Sequence, residues 1–358
     1  MNIPDLTRLK SCMRRAEAGE ELTIGFFGGS ITQDSLATKH ENCYAYRVFQ
    51  WWEETFPKAA LHYVNGGIGG TTSHYGVSRV VTDMLMYQPD FVVVDFSVND
   101  DPNEFFQETY EGLIRKMLTW SSKPAVLLLN NVFYDTGKNA QEYHNRVGDW
   151  YHLPHVSIKD TVWPRMKAGE FTREEITPDG LHPNDKGHGL VAAEITTYLE
   201  QVKEHMWEDE SEQPVPSAMT DNAYENARRL TIRESCPKLD GFRADTEEKK
   251  GHLDHFKNGW IGKKSGDLIL FEIEASCIAV QYRKTIHHPA RKAELILDGD
   301  REHSVLLDGN FDEDWGDCLY LEPVLHHGKS GRHTVEIKVL PDEYETAEPF
   351  YLMALITA

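Results

Sequence analysis

Four short blocks in the first two hundred residues hold side chains that together could carry out acyl transfer. In Gly25-Phe-Phe-Gly28-Gly29-Ser30-Ile31-Thr32 a serine follows an apolar run directly. The glycines let the backbone turn sharply and leave the hydroxyl accessible. Residues 65–72, Asn-Gly-Gly-Ile-Gly-Gly-Thr-Thr, form a glycine-dense stretch that can aim backbone N–H groups at an oxyanion. Past a third apolar run, 92–94, come Asp95, Asn99 and Asp100. The Asn99 amide is a second oxyanion donor, and Asp100 reads as a helix cap. In Asp179-Gly180-Leu181-His182-Pro183-Asn184 an aspartate and a histidine three apart can meet in one tight loop. The carboxylate then fixes the imidazole tautomer and leaves the other ring nitrogen free to take a serine proton. A nucleotide loop lacks its parts here, because no Gly-Lys-Ser/Thr follows and no GxGxxG is completed. The GxSxG elbow is absent as well, since Thr32 stands where its second glycine would be.

These blocks need a scaffold that delivers them to one rim. Apolar runs at 22–27, 61–64, 91–96, 125–130 and 155–157 alternate with amphipathic segments at 44–55, 75–86, 104–120, 140–151 and 184–203. That alternation predicts a three-layer α/β/α sandwich, flavodoxin-like, with about five parallel strands covered on both faces. Ligands of open α/β sheets bind at the carboxyl ends of the strands, where all four blocks fall. The texture changes after Lys203. The expected division is a catalytic domain over 1–205, a polar and proline-bearing linker over 206–229 (one further helix over 219–230 being an alternative for its end), and a second domain over 230–358. Strand patterns at 268–273, 278–282, 293–297 and 335–339, separated by turns at 264–266, 298–300, 308–310 and 328–331, predict an antiparallel β-sandwich of jelly-roll type.

Composition limits the partners. With 58 acidic against 37 basic residues the formal net charge is -21, which disfavours nucleic acid and anionic membranes. The longest apolar runs are far too short to cross a bilayer. No basic, then apolar, leader opens the sequence, and the five cysteines lack any CxxC spacing. Free thiols in a cytoplasmic protein are the expectation. Among 17 histidines the pairs His287-His288 and His326-His327 carry no metal-ligand pattern, and neighbours in a strand point to opposite faces, so neither a metal nor a cofactor is expected.

Taken jointly, Ser30, the 65–72 loop, Asn99 and Asp179-x-x-His182 resemble the four blocks of the SGNH (GDSL-like) serine hydrolases over about residues 20–203. The resemblance implies Ser30 as nucleophile, His182 as general base and acid, and Asp179 as its orienting partner. It also implies an oxyanion hole of the Ser30 N–H, Gly70 and Asn99. Gly70 is preferred to Gly69 because it matches the family's Asn…Gly…Thr spacing. One departure is Gly29, where many members have aspartate. An SGNH core followed by a β-sandwich further resembles two-domain carbohydrate acetylesterases, most like carbohydrate esterase family 17, whose sandwich resembles a carbohydrate-binding module. The implied substrate is an acetylated oligosaccharide, manno- or xylo-, entering a cytoplasmic enzyme, and self-association stays open. Trp260 and Trp315 are the candidate aromatic faces for sugar rings, with a core place as the alternative for Trp260. A lipase or thioesterase on the same scaffold, and a non-catalytic sugar-binding protein, are the alternatives. Activity should fall on acidification, because a protonated His182 cannot act as base.

Overall fold

The runs that are apolar without alternation become the buried parallel strands. The computed structural model describes all residues except 1–2, 209–210, 252 and 343–345. The chain divides into two units, Met1–Glu225 and Asn226–Ala358.

The first unit runs α1 Thr7–Glu17, β1 Glu21–Gly28, α2 Ser30–Gln33, α3 Tyr44–Thr55, β2 Ala60–Asn65, α4 Ser73–Asp83, β3 Phe91–Asp95, α5 Glu104–Leu118, β4 Ala125–Asn130, α6 Gln141–Trp150, β5 His155–Ser157, α7 Val162–Lys167, α8 Arg173–Ile176 and α9 Asp185–Glu204. Five parallel strands lie in the order β2-β1-β3-β4-β5. Ile24, Phe26, Phe91, Val93, Leu127 and Leu129 project to one face, into a core with Met13 of α1, Trp52 of α3 and Ile195 and Leu199 of α9. Helices α4, α5 and α6 pack in succession on one another, α4 against β1 and α5 against β4, to form the other layer. Every residue of β3 and β4 is buried, as central strands with helices on both faces require. Helix α1 was not in the sequence reading, nor were the short α7 and α8.

The segment read as a linker is not a free connector. Residues 212–225 lie along the first unit. Arg8 Nε donates to Glu212, Trp150 Nε1 to the Ser217 carbonyl and Arg115 Nη1 to the Pro216 carbonyl, at 2.9, 2.9 and 2.9 Å. Buried Glu111 accepts the Met219 and Thr220 N–H groups at 2.5 and 2.8 Å. Arg115 pairs with Glu225 at 2.8 Å. The alternative helix over 219–230 does not form, since this stretch holds turns and the strand Arg228–Leu230.

The second unit contains β6 Arg228–Leu230, β7 Lys238–Asp240, β8 Arg243–Ala244, β9 Trp260–Gly262, β10 Leu268–Ala275, β11 Ile278–Lys284, β12 Lys292–Leu297, β13 Val305–Asp308, β14 Cys318–Leu325, β15 Gly331–Val339 and β16 Phe350–Thr357. They form two antiparallel sheets, β13-β12-β15-β10-β7 and β14-β11-β16-β9-β8, with β6 also on β16. Ile269, Phe271 and Ile337 of one sheet share a core with Val280, Tyr282 and Leu352 of the other, as a sandwich demands. His326 and His327 follow the end of β14 in a turn, and their rings lie 4.3 Å apart instead of on opposite faces.

Candidate active site

Strand β1 ends at Gly28, and the chain turns at once into the single-turn helix α2, whose first residue is Ser30. The turn is fixed from several sides. The Gly29 N–H donates to the Asp95 carbonyl at 3.2 Å. Completely buried Arg79 donates to the Gly28 and Gly66 carbonyls at 3.0 and 2.7 Å, which ties the ends of β1 and β2 together. Its guanidinium lies 4.2 Å from the Phe27 ring centroid and pairs with Asp83. Such partners are what a buried cation requires.

The Ser30 hydroxyl is 2.8 Å from His182 Nε2. His182 Nδ1 is 2.7 Å from Asp179 Oδ2. The other carboxylate oxygen, Oδ1, accepts the Leu181 and His182 N–H groups at 2.9 and 2.8 Å and the Thr177 hydroxyl at 3.1 Å. Partial burial alone would raise the Asp179 pKa. The His182 ring N–H and the two backbone donors outweigh it and hold the carboxyl below its ordinary value. Gly180, at φ +80°, makes the tight loop possible, and its carbonyl accepts the Tyr134 N–H at 2.8 Å. The loop leads into α9, capped by Asn184 on the Lys186 and Gly187 N–H groups.

The glycine loop after β2 packs onto α2. Asn65 Nδ2 donates to the Thr32 carbonyl at 2.7 Å, Asn65 Oδ1 accepts the Gly67 N–H at 2.8 Å, and the Ile68 N–H donates to the Gly28 carbonyl at 3.1 Å. Gly69 lies directly against the serine: a Cβ there would stand 3.6 Å from Ser30 Cβ. Its own N–H is taken by Gln33 Oε1 at 2.5 Å. Gly70 follows, exposed and at φ +66°. Asn99 brings its side chain against Gly29, so closely that a Cβ at position 29 would collide with the Asn99 amide. The glycine that replaces the family's aspartate thus leaves room for Asn99. Gly29→Asp, although it restores the commoner residue, is therefore expected to displace Asn99 and, if Asn99 is the oxyanion donor that the resemblance implies, to lower kcat by about 10–100-fold. Steady-state ester hydrolysis checks this, and an unchanged kcat would contradict it.

Beneath the serine turn lies a buried polar chain that the sequence reading did not contain. The Tyr44 hydroxyl is 2.8 Å from Thr32 Oγ1, which donates to Asp95 Oδ2 at 3.4 Å, and Asn131 Nδ2 donates to the same oxygen at 2.9 Å. Burial pushes the Asp95 carboxyl up to about 7 despite these donors. The folded carboxyl holds its proton up to about 7 whereas an ordinary one releases it near 3.8. Stability therefore declines as pH rises between those values. Asp95→Asn is expected to raise stability by about 1–3 kcal/mol near pH 8 and hardly at all near pH 4. Calorimetric Tm at both pH values tests this, and equal Tm changes would contradict it.

The structure separates the two tryptophans. Trp260 is a core residue of the second unit, 2% exposed and edge-on to Phe271 at 5.3 Å, so it cannot stack on a sugar. Trp315 is 54% exposed, with Phe311 edge-on at 5.0 Å and its indole N–H on Glu313. Asp100 does not cap the helix that follows it, since Asn103 caps α5; it accepts the Ser73 N–H at the start of α4 instead, at 2.8 Å.

Ser30, His182 and Asp179 thus form one hydrogen-bonded chain, with Gly69, Gly70 and Asn99 on adjoining loops. Residues 26–190 match the GDSL-like lipase/acylhydrolase family. Among curated proteins no sequence matches. Two solved structures of a two-domain esterase (CEX) active on acetylated mannans are similar to this chain throughout. The one co-crystallised with mannopentaose has a TM-score of 0.96, 50% identity, and a match covering 99% of this chain and 95% of that one. The other has a TM-score of 0.97, 50% identity, and covers 99% and 96% respectively. Identity at that level along nearly the entire length leaves one placement: this chain belongs to the GDSL-like (SGNH) hydrolases and is a carboxylic ester hydrolase of two-domain form.

Proposed function

We propose that the enzyme removes acetyl groups from acetylated manno-oligosaccharides through an acetyl-Ser30 intermediate. The observation that carries the mechanism is the continuous path from the Ser30 hydroxyl through the His182 ring to Asp179, at 2.8 and 2.7 Å. Ser30 Oγ attacks the ester carbonyl as His182 Nε2 takes its proton. The tetrahedral oxyanion is held by the Ser30 and Gly70 N–H groups and the Asn99 amide. The Gly69 N–H is already committed to Gln33, which supports Gly70 as the donor. The intermediate collapses, the sugar hydroxyl leaves with the proton from His182, and water then releases acetate by the same steps in reverse order. The substrate class rests on the esterase active on acetylated mannans, 50% identical over nearly all of this chain.

Exposed Trp315, beside Phe311, belongs to this reading as a face for a sugar ring. Five free cysteines support a reducing compartment, so that imported oligosaccharides would be the substrate. Carboxylic acid release measured across acetylated manno-, xylo- and cello-oligosaccharides (as acetate) and a long-chain acyl ester (as fatty acid) tests the proposal. The highest kcat/KM is expected on the manno series. Preference for the long-chain ester would overturn it.

A further inference from the structure

A second aspartate–histidine pair lies behind the oxyanion donors, wholly out of reach of substrate. Asp100 Oδ2 is 3.0 Å from His144 Nε2, and both side chains are 0% exposed. Asp100 immediately follows Asn99. Its other oxygen accepts the Ser73 N–H at 2.8 Å, at the first turn of α4. Ser73 stands three residues after Gly70, and Thr72, at the cap position, contributes no side-chain bond to the helix. One carboxylate therefore joins the loop bearing Asn99 to the loop bearing Gly70. A helix N-terminus is also where a buried negative charge is best tolerated.

His144 holds that carboxylate in place. It projects from α6, and its ring stacks on Tyr110 of α5 at 3.7 Å between centroids and 3° between planes. Among the described residues His144 Nδ1 has no hydrogen-bond partner. The ring therefore carries its proton on Nε2 and donates it to Asp100. The same corner is tied twice more: Ser73 Oγ is 2.7 Å from Thr109 Oγ1, and the Ala140 N–H, just before α6, donates to the Ser97 carbonyl at 2.7 Å.

We propose that Asp100 and His144 are positioning residues that hold Asn99 and the Gly70 loop at the separation the oxyanion requires, an inference that rests on the reading of Gly70 and Asn99 as donors. Its chemistry follows from geometry. Neither residue touches substrate, but a buried acceptor without its donor moves to find another. Displacing a catalytic group by about 1 Å can cost 10²-fold in rate. Such a displacement lowers kcat and leaves ground-state binding of the sugar alone.

The test is steady-state kinetics, per active site titrated with a fluorophosphonate, on Asn99→Ala, His144→Phe, His144→Gln and the Asn99→Ala/His144→Phe double variant. Phenylalanine keeps the stack on Tyr110 and loses the donor, whereas glutamine can still donate to Asp100. His144→Phe is expected to lower kcat about tenfold or more with KM within about twofold, and His144→Gln to recover most of it. The double variant should lose less than the product of the two single effects. If His144→Phe does not fold, isosteric Asp100→Asn takes its place with the same expected split. The proposal is overturned if Asn99→Ala loses activity while His144→Phe, or Asp100→Asn in its stead, keeps wild-type kcat and changes only Tm. If instead Asn99→Ala keeps wild-type kcat, the oxyanion reading itself fails, and the positioning role with it.

Discussion

Ser30→Ala is expected to lower kcat by about 10⁵–10⁶-fold, with Tm close to that of the unmodified protein. The substitution removes one oxygen, and the serine turn does not depend on that oxygen. The turn is held by the Gly29 N–H on the Asp95 carbonyl, by Arg79 on Gly28 and Gly66, and by the loop bonds of Asn65. On the proposed mechanism, what disappears is the atom that forms the acyl bond, and with it the use of His182 as base. The small rate that remains would come from the oxyanion donors and from binding. Acetate release and calorimetry on the same preparation check both parts. Turnover within tenfold of wild type would contradict the assignment of Ser30. A large fall in Tm would show that the hydroxyl is a structural element.

Asp179→Asn is expected to lower kcat by about 10⁴-fold while KM changes little. The reason is a tautomer. Asp179 Oδ1 is occupied by the Leu181 and His182 N–H groups and the Thr177 hydroxyl, so Oδ2 alone faces His182 Nδ1. An asparagine must keep its carbonyl oxygen on those three donors and therefore turns its NH₂ toward the imidazole. Nδ1 then becomes an acceptor, the ring proton moves to Nε2, and His182 has no lone pair for the Ser30 proton. A kcat within tenfold of wild type would mean that the carboxylate does not set the tautomer.

The functional blocks were legible because each is local. Gly-Gly-Ser, the glycine run, Asn99 and Asp-x-x-His each show their chemistry within eight residues or fewer of sequence, and the parallel strands show theirs as unbroken apolar runs. The supports of the site were not legible for the opposite reason. Arg79 meets Gly28 across 51 positions, and His144 meets Asp100 across 44. Read in sequence, Arg79 is one basic residue on a helix and His144 one more histidine among 17. Only the fold shows that both are fully buried. For Trp260 the sequence left a sugar-stacking face and a core place both open, and the strand that begins there carries it into the core. Strand β16 was overlooked although all eight of its residues are buried. Its partners β11, β9 and β6 come from distant parts of the chain.

The boundary between the units matters for any dissection of the enzyme. Residues 216–220 bond to Glu111, Arg115 and Trp150, so a cut at 215 would take the Met219 and Thr220 donors from buried Glu111 and leave it the Tyr151 hydroxyl. A cut after Glu225 follows the observed division and keeps the bonds that Ser217, Pro216, Met219, Thr220 and Glu225 make within the first unit.

Labelling with a fluorophosphonate, located by peptide mass spectrometry, reaches the central claim with least inference. The convergence of four loops on one hydroxyl predicts a single label per chain, on Ser30, slowed by orders of magnitude in His182→Ala. A folded, ester-hydrolysing sample that takes no label on Ser30, or takes it on another side chain, would contradict it.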